Sequence, residues 1–272
     1  MTGPLLLASL FILPAAEPAV SVGKAEYEGR PHLVVEAGGG TAWLDVRSGG
    51  LSRFIDGGGR DWIAFRMKPW GDYPDAAAGA FRGFPNLVHG EDPDAGFGHP
   101  GHDTAASRVV ERSDNRVVVA CETESGRWAT RWTFTPEAIE LAVERTPDEA
   151  KYWVLYEGPI GGDFDPGYEI VRTPSGSIAT PGTDFQDGDR VTGVFPWAEF
   201  FDAEHKAGLR IERLQPAGEG VVDCWAQLGS TDAGVNAADG MMVFGFGRGP
   251  EGIDPRLTGP RRFRLRFVPP GV

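Results

Sequence analysis

The sequence predicts an all-β protein built as a large antiparallel β-sandwich, or supersandwich, in a single domain. Three features of the chain indicate this fold class. Gly 39 and Pro 22 are more numerous than a helical protein tolerates. Hydrophobic residues make up 41% of the chain and aromatic residues 11%, which supplies a substantial core. Apolar and polar residues alternate with a period of two over many short runs, without a helical period of more than a turn or two.

The beginning of the chain is typical of a β-meander. Residues 32–37 and 41–47 are predicted strands joined by three glycines, and residues 51–56 and 62–67 form a second pair around another triple-glycine turn. Short glycine turns between neighbouring strands favour antiparallel pairing.

Three successive segments after residue 116 each have one apolar and one polar face. The apolar faces comprise Val117, Val119 and Cys121, then Trp128, Thr130, Trp132 and Phe134, and then Ile139, Leu141 and Val143. Parallel sheets bury both faces and lose this alternation, so these strands are predicted to belong to an antiparallel sheet. Two such sheets packed face to face are expected.

The second half of the chain continues the pattern of strands. Residues 152–156, 168–172, 191–201, 209–214 and 221–228 are predicted strands, and residues 241–246, apolar on both faces, are predicted to lie centrally in a sheet. In the last strand, Phe263, Leu265 and Phe267 point inward, and Arg262, Arg264 and Arg266 form a solvated stripe on the other face.

Residues 1–19 are predicted to be a signal peptide, which leaves residues 20–272 as the β-sandwich domain. The apolar run from Leu5 to Leu13 is followed by small residues and is too short to span a bilayer as a helix. No basic residue precedes Lys24, so a buried first strand is the alternative. Export predicts a secreted or periplasmic location, with no membrane attachment after cleavage.

The charge and the cysteines narrow the possible partners and chemistry. A net charge of −13 repels polyanions at long range, which excludes nucleic acid and anionic lipid as partners. Cys121 and Cys224 either pair in an oxidising compartment or remain two buried thiols, and their spacing is not that of metal ligands.

The stretch from Trp70 to Asp103 is the predicted functional site. It contains three of the five histidines, with an arginine, an asparagine, a tyrosine and a tryptophan, on a run rich in glycine and proline. Long loops within a chain of short strands are usually functional or disordered, and the aromatic residues argue against disorder.

The parts of a proton-transfer site are present in this stretch. Arg82 or Asn86 can neutralise the carboxylate of a sugar acid, and His99 or Tyr73 can exchange the proton on the carbon next to it. These are the predicted catalytic residues. The alternative is that Arg82 and Asn86 bind carbonyl groups of the loop itself, while His99 caps a turn.

Neither a metal ion nor another cofactor is predicted. His99 and His102 have a spacing that a metal could use, but Pro100 prevents a helix that would hold both imidazoles on one face. Short acidic segments elsewhere lack the full ligand pattern of a calcium loop and are explained by turns in which an Asp side chain caps the backbone.

A second set of residues is predicted to bind the substrate. It comprises Trp70, His102, Trp153, Glu157 and Trp197. The aromatic members lie at or near junctions of loops and strands, where exposed rings could stack on sugars, although most of the tryptophans must belong to the core. Glu157, with Asp163 or Asp165, is also the candidate carboxylate pair for glycoside hydrolysis.

The segment 48–62, Ser-Gly-Gly-Leu-Ser-Arg-Phe-Ile-Asp-Gly-Gly-Gly-Arg-Asp-Trp, resembles the early hairpin of galactose-mutarotase-like β-sandwich domains. Such domains occur in several polysaccharide lyases and hydrolases. The spaced histidine motifs of the mutarotases themselves are absent, so epimerase activity is not implied. The resemblance implies an antiparallel supersandwich and a sugar ligand.

The functional hypothesis is a secreted protein that acts on a polysaccharide or oligosaccharide. The predicted reaction is β-elimination by a polysaccharide lyase on a glycan that contains uronic acid. The alternatives are a glycoside hydrolase with a Glu/Asp pair and a carbohydrate-binding module without catalytic activity.

Overall fold

The computed structural model describes residues 20–63, 83–92, 96–98, 100, 105–157, 169–178, 190–228, 241–249 and 254–268. Nineteen strands in this part of the chain form antiparallel sheets, which confirms the predicted all-β sandwich. Hydrogen bonds divide the strands into three sheets rather than the two expected. Over the same residues, no helix has the length and hydropathy needed to cross a membrane.

The first sheet is the predicted meander. Its four strands follow one another in chain order: β1 (Ser21–Tyr27), β2 (Arg30–Ala37), β3 (Gly40–Asp45) and β4 (Leu51–Asp56). The predicted strand at 62–67 does not begin at Trp62, which lies with Ile63 in a bend. The carboxylate of Asp61 accepts the backbone N–H of Ile63 at 3.2 Å, which fixes that bend, and the remaining positions of that strand lie outside the described residues.

The other fifteen strands form a six-stranded and a nine-stranded sheet. The nine-stranded sheet contains β7 (Ala105–Ser113), β8 (Arg116–Thr123), β9 (Ala129–Phe134), β10 (Ile139–Arg145), β12 (Glu169–Thr173), β13 (Gly176–Ile178), β15 (Trp197–Asp202), β16 (Ala207–Arg213) and β19 (Arg261–Val268). Their order across the sheet is β13-β12-β15-β16-β19-β10-β9-β8-β7. The last strand of the chain therefore lies in the middle of the sheet.

The six-stranded sheet contains β5 (Leu87–Asp92), β6 (Gly96–Gly98), β11 (Lys151–Glu157), β14 (Arg190–Gly193), β17 (Val222–Leu228) and β18 (Met241–Arg248). Their order is β14-β17-β18-β11-β5-β6. β18 is therefore an interior strand, as its two apolar faces predict.

One hydrophobic core joins the three sheets within the described residues. Most inward positions predicted from the alternation are buried, whereas Thr130 and Phe267 are half-buried. The buried ones are Val117, Val119, Cys121, Trp128, Trp132, Phe134, Ile139, Leu141, Val143, Phe263 and Leu265. Polar groups of core aromatic side chains are hydrogen-bonded, since an unpaired buried donor is costly. The Trp132 indole N–H donates to the carbonyl of Gly49 at 2.8 Å, and the Tyr156 hydroxyl donates to the carbonyl of Trp62 at 2.6 Å.

Both cysteines are buried and neither forms a disulfide, so the disulfide alternative does not hold. Cys121 lies in β8 of the nine-stranded sheet and Cys224 in β17 of the six-stranded sheet. Burial raises the pKa of the Cys121 thiol to about 11, and the Ser107 hydroxyl donates to its sulfur at 3.2 Å. The thiol therefore stays protonated at neutral pH and is a packing group, not a nucleophile.

A buried polar cluster holds the meander together around His32. The imidazole Nδ1 donates to the carbonyl of Arg30 at 2.8 Å, and Nε2 accepts from the hydroxyl of Ser52 at 2.9 Å. The Arg30 guanidinium pairs with Asp45 at 2.5 Å. A serine beside a histidine resembles a nucleophile with its base, but both side chains are buried away from any substrate, so the pair has a structural role.

Replacing Gly247 or Gly59 by alanine compares the cost of backbone strain plus steric overlap with the cost of backbone strain alone. Gly247 and Gly59 have φ angles of 92° and 86°, which alanine adopts at a cost of roughly 1–2 kcal/mol. A methyl group on Gly247 would also overlap the side chain of Leu257, whereas Gly59 faces open space. We expect Gly247→Ala to lower the free energy of unfolding in urea by about 1–3 kcal/mol more than Gly59→Ala. Equal losses would contradict this packing.

Lowering the pH will destabilise the protein through His32. Burial lowers the pKa of His32 below 6.5, so the unfolded chain binds this proton more readily than the folded protein. The stabilisation is present above about pH 6.5 and is lost as the pH falls, by up to roughly 1.4 kcal/mol per pH unit. The loss is measured as the difference between the free energies of unfolding in urea at about pH 5.5 and about pH 7.5. The difference should shrink in His32→Gln, and an unchanged difference in that variant would contradict this role of His32.

Candidate functional site

Several strands of both large sheets terminate at one end of the sandwich. In the six-stranded sheet, Glu157 at the end of β11 pairs with Val243 of β18, and Leu228 at the end of β17 pairs with Met241. The two sheets meet here, because the ring of Tyr156 packs on that of Phe200 with centroids 4.3 Å apart. We call this region the Glu157 end. Loops at the ends of strands carry function more often than the scaffold does.

Three polar side chains form a cluster at the Glu157 end, the His205 cluster. His205 Nδ1 donates to Asp202 Oδ2 at 2.6 Å, and the guanidinium of Arg60 forms an ion pair with the same oxygen. The side chain of Asp202 is 2% exposed and that of His205 is 60% exposed. A buried carboxylate therefore holds a solvent-facing imidazole.

Local sequence explains how each member of the cluster is placed. Asp202 ends β15, and its Oδ1 accepts the backbone N–H groups of Glu204 and His205 at 2.8 and 3.0 Å, which is a side-chain-capped turn. Arg60 comes from the hairpin after β4, where Asp56 Oδ1 accepts its backbone N–H at 3.0 Å. The Arg60 guanidinium lies 4.9 Å from the centre of the Trp62 ring.

The arrangement suits proton transfer. A histidine that donates from Nδ1 to a carboxylate keeps its Nε2 lone pair as the proton acceptor, and the carboxylate also stabilises the imidazolium that forms. Arg60 Nη1 lies 3.2 Å from His205 Nδ1 and balances the negative charge of Asp202. His205 is therefore the candidate general base or acid, and Asp202 and Arg60 are positioning residues.

Much of the predicted site lies outside the described residues. Trp70, Tyr73, Arg82, His99 and His102 belong to this group, and they remain predictions. The structure describes Asn86, Trp153 and Trp197 fully, and it gives the backbone of Glu157 as the last residue of β11.

Asn86 directly precedes β5, which is the neighbour of β11, the strand that ends at Glu157. Leu87 pairs with Val154, and the backbone N–H of Leu155 donates to the carbonyl of Pro85 at 3.0 Å. Asn86 is buried and has a φ of 31°. The segment before β5 therefore runs along β11 towards the Glu157 end.

The prediction that Trp153 presents an exposed ring to sugars is wrong. Trp153 is the third residue of β11 and is buried, rather than standing at a junction with a loop. The guanidinium carbon of Arg248 lies 4.1 Å from the centre of its ring. Burial and the stacked arginine leave no open face for a sugar.

Trp197 stands at the start of β15, as expected of a residue at a junction. It is half-buried, and the guanidinium carbon of Arg210 lies 4.1 Å from the centre of its ring. One face of this ring therefore carries an arginine. Trp197 belongs to the nine-stranded sheet and does not lie on the strands of Asn86 and Glu157.

Sequence reasoning missed the His205 cluster. An Asp-x-x-His sequence directly after the strand predicted at 191–201 was a usable signal, because an aspartate at the end of a strand commonly caps the following turn. Arg60 gave no such signal, since it lies 145 positions before His205 in the chain.

Among the described residues, no group of three or more His, Cys, Asp and Glu side chains is placed to hold a metal ion.

Comparisons with known proteins bear on the fold. No protein-family model and no curated protein matches the sequence. The solved structure of HI1317 aligns with 96% of this chain and 99% of its own, at 11% identity and a TM-score of 0.58. YeaD from Salmonella typhimurium, provisionally assigned as a mutarotase, aligns with 94% of this chain and 96% of its own, at 12% identity and a TM-score of 0.58.

A larger enzyme contains a similar region. The α-N-acetylgalactosaminidase NagBb of Bifidobacterium bifidum aligns with 85% of this chain and 35% of its own, at 12% identity and a TM-score of 0.50. At these identities the likeness establishes the fold and not the activity. The chain has a fold similar to that of the galactose-mutarotase-like β-sandwich proteins, which confirms the resemblance at 48–62.

Proposed function

We propose that this protein is a carbohydrate-active enzyme in which His205 transfers a proton on a glycan that contains uronic acid. The observation that carries the proposal is an exposed imidazole fixed through Nδ1 by the buried carboxylate of Asp202. Two solved structures of similar fold, a provisional mutarotase and an α-N-acetylgalactosaminidase, carry sugar-active names, which supports a sugar as the substrate. Action outside the cytoplasm belongs to the same proposal, because of the leader predicted at 1–19.

The proposed reaction is β-elimination. His205 Nε2 takes the proton from C5 of a uronate, the C–H electrons form the C4–C5 double bond, and the glycosidic C4–O bond breaks. The departing oxygen takes the C–O bonding electrons, receives a proton from the His205 imidazolium or from water, and leaves as a hydroxyl. Arg82 is the candidate that neutralises the uronate carboxylate, since stabilising this charge lowers the barrier to removing the C5 proton.

The test follows two products from a panel of uronate-containing and neutral polysaccharides. Ultraviolet absorbance reports the C4–C5 double bond, and reducing ends report any cleavage. We expect absorbance with a uronate polymer and a rate about 10²–10⁴-fold lower for His205→Ala, as for other general bases. The control is Glu204→Gln, an exposed neighbour in the same turn, which should keep the wild-type rate.

Other outcomes contradict the proposal in distinct ways. Reducing ends without absorbance, lost in Glu157→Gln, would assign the protein to the hydrolases. Full activity in His205→Ala would remove His205 from the mechanism. Binding without either product would leave a carbohydrate-binding module.

Replacing Asp202 by asparagine tests its positioning role. The turn N–H groups need the side-chain oxygen, so the amide nitrogen of Asn would face His205 Nδ1 and favour the tautomer with the proton on Nε2. We expect kcat to fall about 10²–10⁴-fold, with little change in KM. A large rise in KM with an unchanged kcat would place Asp202 in substrate binding instead.

A further inference from the structure

Two arginines on the outer face of the nine-stranded sheet are held by one buried carboxylate. Arg172 Nη1 donates to Glu199 Oε1 at 3.3 Å, and Arg210 donates from Nε and Nη2 to Glu199 Oε2 at 3.0 and 2.6 Å. The side chain of Glu199 is 3% exposed, and those of Arg172 and Arg210 are 31% and 20% exposed. The strand register places the three side by side, with Glu199 in the middle. We call this trio the arginine clamp.

Aromatic rings fix both guanidinium groups further. The guanidinium carbon of Arg172 lies 3.8 Å from the centre of the Phe201 ring, and that of Arg210 lies 4.1 Å from the centre of the Trp197 ring. Stacking and ion pairing restrict two long side chains that would otherwise lose rotamer freedom on binding a ligand. The clamp is therefore preorganised before any ligand arrives.

The two arginines of the clamp have N–H donors that Glu199 does not occupy. A guanidinium carries five N–H groups in a planar fork that matches a carboxylate. Within the described residues, Glu199 takes up one donor atom of Arg172 and two of Arg210. Both side chains are partly exposed, so their remaining N–H groups can donate hydrogen bonds to an anionic group that arrives from solvent.

The surroundings of the clamp are basic, although the protein is acidic. The neighbouring strands carry Arg262, Arg264 and Arg266, whose carboxylate partners are Glu140 and Glu212. With the clamp, this patch has five arginines and three glutamates, a surplus of two positive charges in a chain of net charge −13. Such a patch attracts an anion within a Debye length of about 8–10 Å, while the rest of the surface repels polyanions.

We propose that the arginine clamp binds the carboxylates of an acidic glycan chain. Charge complementarity and the planar donors favour a uronate-bearing polymer as the occupant. Phe201, whose ring stacks on Arg172, directly precedes Asp202 in β15, so the clamp and the turn that carries His205 belong to the same hairpin. The identity of the glycan rests on the proposed function, but binding at the clamp does not require turnover.

Affinity electrophoresis through gels that contain polygalacturonate tests the clamp. The variant is Arg172→Gln with Arg210→Gln, and the matched control is Arg108→Gln with Arg131→Gln, which removes two charges from the same sheet in the row that joins β7, β8 and β9. We expect the wild type and the control to be retarded and the clamp variant to bind at least about tenfold more weakly. Retardation should fall with added salt and be absent in dextran gels.

Two further variants distinguish loss of binding at the clamp from misfolding and from loss of the proposed reaction. Arg172→Lys with Arg210→Lys retains the charge without the planar fork, so it should fold and still bind more weakly than the wild type. His205→Ala should remain retarded, which separates failure of the clamp from failure of the proposed reaction. Equal loss in the control variant, equal retardation in dextran, or no retardation of the wild type would overturn the proposal.

Discussion

The apolar faces of the sheets must be buried in one core, and much of the architecture follows from that constraint. Residues such as Val119, Trp132, Leu141 and Leu265 alternate with polar neighbours and enter a single core. Because the inner faces are committed to packing, side chains that meet a ligand must lie at strand ends or on an outer face. The His205 cluster and the arginine clamp occupy these two kinds of position.

Buried carboxylates paired with arginine recur in the structure, and the exposure of their partners distinguishes structural pairs from those proposed to be functional. Arg30 with Asp45 and Arg213 with Asp223 are buried on both sides, and Asp223 also accepts the backbone N–H groups of Phe195 and Gly247. Breaking such a pair would leave a buried charge without its partner, so these pairs stabilise the contacts between the elements that carry them. In the His205 cluster and the arginine clamp, the carboxylate is buried but its partners reach solvent.

The two proposed sites share one hairpin, which gives them a common geometry. Glu199 lies in the middle of β15 and Asp202 at its end, before the turn that leads to β16. Rigid strands place side chains more reproducibly than loops do. The backbone that carries the clamp and the backbone that carries His205 are therefore parts of one rigid hairpin.

The sequence by itself determined the all-β class, the inward residues of the central strands, the interior position of β18 and the resemblance at 48–62. These features depend on a period of two and on turn residues, which are local properties of the chain. It also proposed functional residues, of which Trp70, Tyr73, Arg82, His99 and His102 stay predictions. Only the tertiary structure decided that the strands form three sheets and that Cys121 and Cys224 form no disulfide. It alone also showed that Trp153 is buried under Arg248 and that Arg60 contacts Asp202 and His205. Such contacts join residues far apart in the chain, and many charged residues compete for the same partners, so local pattern cannot select among them.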